Sequence, residues 1–172
     1  DLPEHKEHKA TLSLRKTAAF KALLRCDGDK FSQKGAAEFL EDWEDNIQIL
    51  NQNGEQMSLR QAAKSLRDLT IESAREVNSH VNDFSESMSA MERVEAKNQN
   101  SLPSTIIFNC VPYLALTERD FTIRLSIITG GDRPTIGFRI VRIDAAEEEI
   151  ALEFKEKLVD AFDTLTLQTY IG

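Results

Sequence analysis

The sequence predicts an α+β fold, with a mainly helical N-terminal half followed by an antiparallel sheet built in the order β-β-β-α-β. Three observations carry this reading. Before residue 98, apolar residues recur mostly every three or four positions, the period of an α-helix. After Pro103, three segments rich in Ile, Val, Phe and Thr follow one another, as strands require. Between the third of these and the C-terminus, Ile150, Phe154, Leu158 and Phe162 recur every four residues, a stripe that lays one helix across the sheet. Residues 1–9 read as a flexible terminus and 10–172 as one domain, with a mainly helical part at 10–98 and a sheet-plus-helix part at 104–172.

The elements follow in chain order. Thr11 to Leu14 alternate briefly, as a short strand would. Thr17 caps a helix carrying Phe20, Leu23 and Leu24, which the Asp27-Gly28 turn ends. Ser32 caps the next, in which Ala36, Leu40, Trp43 and Ile47 form one stripe. Asn51 to Gly54 is a loop, and Ser58 with Gln61 makes a capping box ahead of Leu59, Ala63 and Leu66. From Leu69 to Lys97, Ile71, Ala74, Val77, Val81, Phe84, Met88, Met91 and Val94 suit one long helix or a helical hairpin. Asn78 to His80 and Asn82-Asp83 are candidate breaks, and Leu69 to Glu72 could equally open a strand.

Asn98 to Pro103 is a polar joint, followed by strands at 105–113, 121–129 and 135–143. In the second, Phe121, Ile123, Leu125 and Ile127 face one way and Thr122, Arg124 and Ser126 the other, so it is half-buried. Gly130 to Pro134 is long enough for a hairpin, which makes the second and third strands antiparallel. Asp144 and Glu147 place negative charge at the positive end of the final helix, and Leu165 to Ile171 read as a last short strand.

Composition narrows the function. Lys and Arg total 21 against 29 Asp and Glu, a net charge of −8 that excludes a generally basic nucleic-acid coat and leaves room for a local basic face. No run of apolar residues is long enough to span a bilayer, and the polar start Asp1 to Lys6 is not a signal peptide. That start lacks an initiator Met, as expected of a processed chain or the C-terminal portion of a longer protein. Cys26 and Cys110 are too few for a disulfide scaffold and fit a reducing cytoplasm.

Catalytic signatures are missing. His5 and His8 would share a helical face but lie in a charged terminus, and His80 stands by itself, so no zinc spacing results. Glu41, Glu44 and Asp45 fall on one face of the predicted second helix, where a solvated surface explains them better than metal or acid-base chemistry. Gly130-Gly131 lacks the Lys-Ser/Thr of a phosphate loop. No nucleophile elbow and no His-Glu-x-x-His motif is present. The sequence therefore predicts no enzyme, no cofactor, no metal and no small-molecule substrate.

One asymmetry carries information. From Arg119 to Arg142 the chain has a net charge of +3, and from Asp144 to Asp163 a net charge of −6. Arg124, Arg139 and Arg142 are the candidate contact residues. They either touch a nucleic-acid backbone or pair with acids such as those of the last helix, Glu72 or Glu95, within the chain or across a subunit boundary. Aromatics able to stack on bases (Phe108, Tyr113, Phe121, Phe138, Tyr170) are sparse and fall mostly on the expected core face.

Several segments resemble the YfdQ-like family. They are Ser13 to Phe20, Phe39 to Trp43, Met91 to Lys97, Cys110 to Tyr113, Phe121 to Ile127 and the ending Tyr170-Ile171-Gly172. The resemblance covers essentially the whole chain and implies a domain of unknown function carried by tailed bacteriophages and prophages, cytoplasmic and preceded in its relatives by a further N-terminal region. It transfers no catalytic residues.

The expected function is accordingly a non-enzymatic phage accessory role exercised by binding another protein or a second copy of the chain. The alternatives are a single-stranded nucleic-acid or recombination accessory module, and an acidic DNA mimic that blocks a host nuclease.

Overall fold

Helix starts are fixed locally, by side chains that satisfy first-turn amides. In the computed structural model, which describes residues 12–69, 102–128 and 133–162, α1 spans Ala18–Cys26. The Thr17 hydroxyl accepts from the Phe20 amide at 3.2 Å and donates to the Val111 carbonyl at 2.6 Å, tying the helix start to the sheet. Gly28, at φ 75°, turns the chain after α1 into β1 (Lys30–Ser32). Ser32 caps α2 (Gln33–Asp42) by accepting from the Gly35 amide. Both halves of the Ser58–Gln61 capping box form ahead of α3 (Leu59–Arg67).

The second helix is shorter than its stripe suggests. Trp43 leaves helical geometry (φ −116°, ψ 27°), a 3-10 turn follows at Glu44–Asn46, and Ile47 begins β2 (Ile47–Asn51). The Asn46 side chain donates to the Asn109 carbonyl at 2.8 Å, and Ile47 and Ile49 pair with Phe108 and Ile106. Non-local pairing thus overrides a spacing that the helix period also fits. Together with β3 (Gln56–Met57), the described part of the N-terminal half supplies three short strands beside its helices. Residues 12–15 form no strand, and this segment meets the sheet through a single bridge from Lys16 to Tyr113.

The later strands are β4 (Pro103–Cys110), β5 (Arg119–Ile128) and β6 (Thr135–Ile140), followed by α4 (Ile143–Phe162). β4 stops before Pro112, which has no amide for a ladder. Just after β6, Arg142 adopts φ 56° and directs the chain into α4. All pairings are antiparallel, in the order β1-β6-β5-β4-β2-β3. The expected antiparallel pairing of 121–129 with 135–143 is present as β5 with β6.

One face of this sheet builds the core. Ile49, Ile106, Phe108, Phe121, Ile123, Ile136, Phe138 and Ile140 join Phe20 and Leu23 of α1, Phe39 and Leu40 of α2, Leu66 of α3 and Ile150 of α4 in a single buried cluster. The chain is an α+β protein with its described helices on one side of the sheet. Phe162 does not follow Ile150 inward and is 38 % exposed. A step of four residues rotates about 40° beyond a full turn, so three such steps carry it off the core face.

The edges are short. β1 covers Thr135 to Gly137, and Asp29, Gly28 and Asp27 continue along β6. The Asp27 carboxylate accepts from the Ile140 amide at 2.7 Å. The predicted helical region from 70 to 97, the strand at 165–171 and the loop glycines Gly130 and Gly131 lie outside the described residues. Among the described residues no helix is long and apolar enough to cross a membrane.

Candidate functional site

The side of the sheet away from the core is where the candidate arginines stand. Alternation along β5 sends Thr122, Arg124 and Ser126 outward while Phe121, Ile123 and Leu125 face the helices. The register sets Arg124 directly opposite Arg139, with Thr105 on the other side of Arg124 and Leu50 beyond it. Both arginines are exposed. Like charges facing each other across a ladder destabilise it, and no carboxylate among the described residues is paired with either.

The rest of this open face is polar with apolar flecks. Gln48, Thr105, Asn109, Thr122 and Ser126 lie among half-buried Leu50, Ile107, Ile128 and Val141. Lys30 adds a third cation opposite Gly137. Gly137 needs no unusual dihedral, yet a Cβ there would come 2.7 Å from the Ser126 hydroxyl, so the strand is bare at that point. Asp120, at the far end, is engaged by the Asn109 side chain. Phe108, Phe121 and Phe138 all point into the core, so none of them can stack on a base from this side.

Arg142 does not join the pair. It sits in the β6–α4 turn with a left-handed backbone, exposed, and its carbonyl accepts from the Ala146 amide at 3.2 Å.

The pairing with the last helix that the sequence offered for Arg124, Arg139 and Arg142 is made instead by Arg119. Its guanidinium meets Glu149 at 2.9 Å and Glu153 at 2.9 Å, two acids one turn apart on α4. Glu153 also accepts from the Thr117 hydroxyl and amide. Those Thr117 bonds first, then Arg119, hold the Glu153 carboxyl below its ordinary range despite partial burial. This clamp fastens α4 to the start of β5.

The other candidates resolve as structure. Glu41 is in α2, whereas Glu44 and Asp45 lie in the 3-10 turn, so the three do not share a helical face. Glu41 pairs with Arg67 at 2.7 Å, which lowers its pKa. Cys26 and Cys110 are free and buried, and burial foremost pushes each thiol up to about 12, leaving neither a thiolate at neutral pH. His5, His8 and His80 lie outside the described residues, among which no group of three or more His, Cys, Asp or Glu is placed to hold a metal. A cleft of about 640 Å³ is lined by Ser32 to Lys34, Arg67 and Arg133 to Thr135. Among the described residues it presents no nucleophile with a general base, and Arg67 and Lys34 are paired with Glu41 and Glu38.

Lys30 and Gly137 belong to the surface but carry no recognisable signal in the sequence, because a pairing about a hundred residues apart places them there.

The family model described as an uncharacterized conserved protein (DUF2303) matches residues 1–172. The chain belongs to that family. No curated protein and no solved structure matches this DUF2303 member.

Proposed function

We propose that the chain is a non-enzymatic, cytoplasmic accessory protein of phage or prophage origin that acts by protein–protein binding through the open face of its sheet. The observation that carries this reading is the juxtaposition of Arg124 and Arg139, two exposed cations side by side without a carboxylate partner among the described residues. A stable fold gains nothing from that arrangement by itself. An acidic partner surface would relieve the repulsion and cover the half-buried apolar residues beside the cations. The phage origin is what the resemblance of segments such as Ser13 to Phe20 and Phe121 to Ile127 to the YfdQ-like family implies, and two buried unpaired cysteines suit a reducing compartment.

Nucleic acid is the second reading. It is favoured by Lys30 and Arg133, which lie along β6 from Arg139 and lengthen the basic strip. The inward aromatics weigh against it, since a single strand would find no stacking platform. Mimicry of DNA is weakened in turn, because Glu149 and Glu153 are neutralised by Arg119 and break any run of free acids on α4.

A photoreactive residue in place of Thr122 tests the assignment in the bacterial host. Protein adducts that disappear with Arg124→Ala plus Arg139→Ala support it. Adducts to nucleic acid alone, or protein adducts indifferent to the arginines, overturn it.

A further inference from the structure

The chain carries a net charge of −8, yet the cleft of about 640 Å³ has three cations and no carboxylate among its lining residues. Each cation comes from a different part of the fold. Lys34 belongs to the first turn of α2, Arg67 ends α3, and Arg133 lies just before β6. Gln33 explains how the first two meet. Its side-chain amide donates to the Leu66, Arg67 and Leu69 carbonyls at 3.1, 3.1 and 2.6 Å, fastening the end of α3 to the start of α2. The antiparallel register of Ser32 with Thr135 brings the start of β6 to the same place. Cations gathered at one hollow repel one another, so it is this backbone framework that holds them together.

Pairing within the chain uses few of their donors. Arg67 gives one nitrogen to Glu41 at 2.7 Å and Lys34 meets Glu38 at 3.4 Å, and neither acid lines the cleft. Both pairs are solvent-exposed, and such pairs contribute little. Arg133 has no carboxylate partner among the described residues. A guanidinium carries several N–H donors in a fixed fork, so most of the donors of Arg67 and Arg133 remain for an anion. Thr135 adds a hydroxyl to the lining, and buried Pro134 with the aliphatic stems of the cations supplies carbon. The volume falls within the range of about 300–1,000 Å³ usual for small-molecule sites.

We propose that this cleft binds a small phosphomonoester, a phosphorylated sugar or polyol whose phosphate meets Arg67, Arg133 and Lys34. Guanidinium forks match phosphate oxygens two at a time, and a dianion offsets the mutual repulsion of three cations. The carbon body lies along Pro134. No aromatic ring lines the cleft, so a nucleobase would find nothing to stack on. The ligand is held and not turned over, since the lining offers no nucleophile with a general base.

The test is a titration of the full chain with glycerol phosphate at fixed ionic strength, followed through backbone amide resonances. Saturable shifts are expected at Gln33, Lys34, Arg133 and Thr135, while glycerol and sodium chloride leave them in place. Arg67→Gln with Arg133→Gln should weaken binding by roughly tenfold or more. Both side chains are exposed, so the fold is kept, and Arg133→Gln alone weakens binding without touching any ion pair among the described residues. Arg124→Ala with Arg139→Ala should leave the affinity unchanged, which separates this cleft from the open face. No saturation by about 10 mM ester, equal shifts with chloride or glycerol, or indifference to Arg67 and Arg133 overturns the site. Inorganic phosphate binding as tightly as the ester, or a terminally phosphorylated oligonucleotide binding more tightly, overturns the assignment to a small phosphomonoester.

Discussion

The two faces of the sheet are made by the same strands, one residue out of phase, and they are built to different ends. On the inner face Phe138 touches Phe31 and Phe39 with ring centroids 4.8 and 5.4 Å away. On the outer face its neighbour Arg139 stands opposite another arginine. Arg119 sharpens the contrast, because it begins the same strand as Arg124 yet is held by two carboxylates of α4. What the strands spend on stability is concentrated on one side, and the other side is left for contact.

Substitutions can break that division or confirm it. The largest effect is expected from Phe138→Ala, which opens a hole among packed rings and should cost about 3–5 kcal/mol in urea unfolding. Asp27→Ala, which leaves the partly buried Ile140 amide without its acceptor, should cost about 1–3 kcal/mol by the same measurement. Arg119→Met, which strips Glu153 and Glu149 of their cation, should cost roughly 1 kcal/mol and lower the helical signal of α4.

A pH series reads the same clamp. Because the folded Glu153 carboxyl titrates below its ordinary value of about 4.3, its stabilisation is complete above that pH and is lost as pH falls through the lowered folded pKa. Thr117→Val with Arg119→Met should therefore flatten the acid limb of the unfolding profile and leave its neutral region parallel to wild type. The smallest stability change belongs to Arg124→Ala with Arg139→Ala. It should stay within about 0.5 kcal/mol of wild type, or rise slightly as the facing charges go, while binding through the face is lost. A large loss of stability in that variant would erase the distinction between the faces.

Legibility in the sequence follows the range of the forces involved. Thr17, Ser32 and Ser58 with Gln61 announce helix starts because a cap acts within three residues. The alternation in β5 is equally local and correctly separates Arg124 from Phe121 and Ile123. β2 was hidden because Ile47 lies four residues from Trp43, a spacing a helix shares, and its strand partners are Phe108 and Ile106 more than fifty residues away. β1 and β3 are too short to show a period at all. Arg124, Arg139 and Arg142 share a local charge excess, but only the register sorts them into a facing pair and a turn residue. Arg119 had a readable hint in Glu149 and Glu153, which are four apart and thus share one side of a helix.

The brevity of β1 and β3 has a consequence for behaviour at high concentration. A margin of three residues on one flank and two on the other presents almost no continuous row of free amides, and at Ile140 a carboxylate occupies the donor that an invading strand would need. Among the described residues, the margins of the sheet therefore give cross-β growth little template.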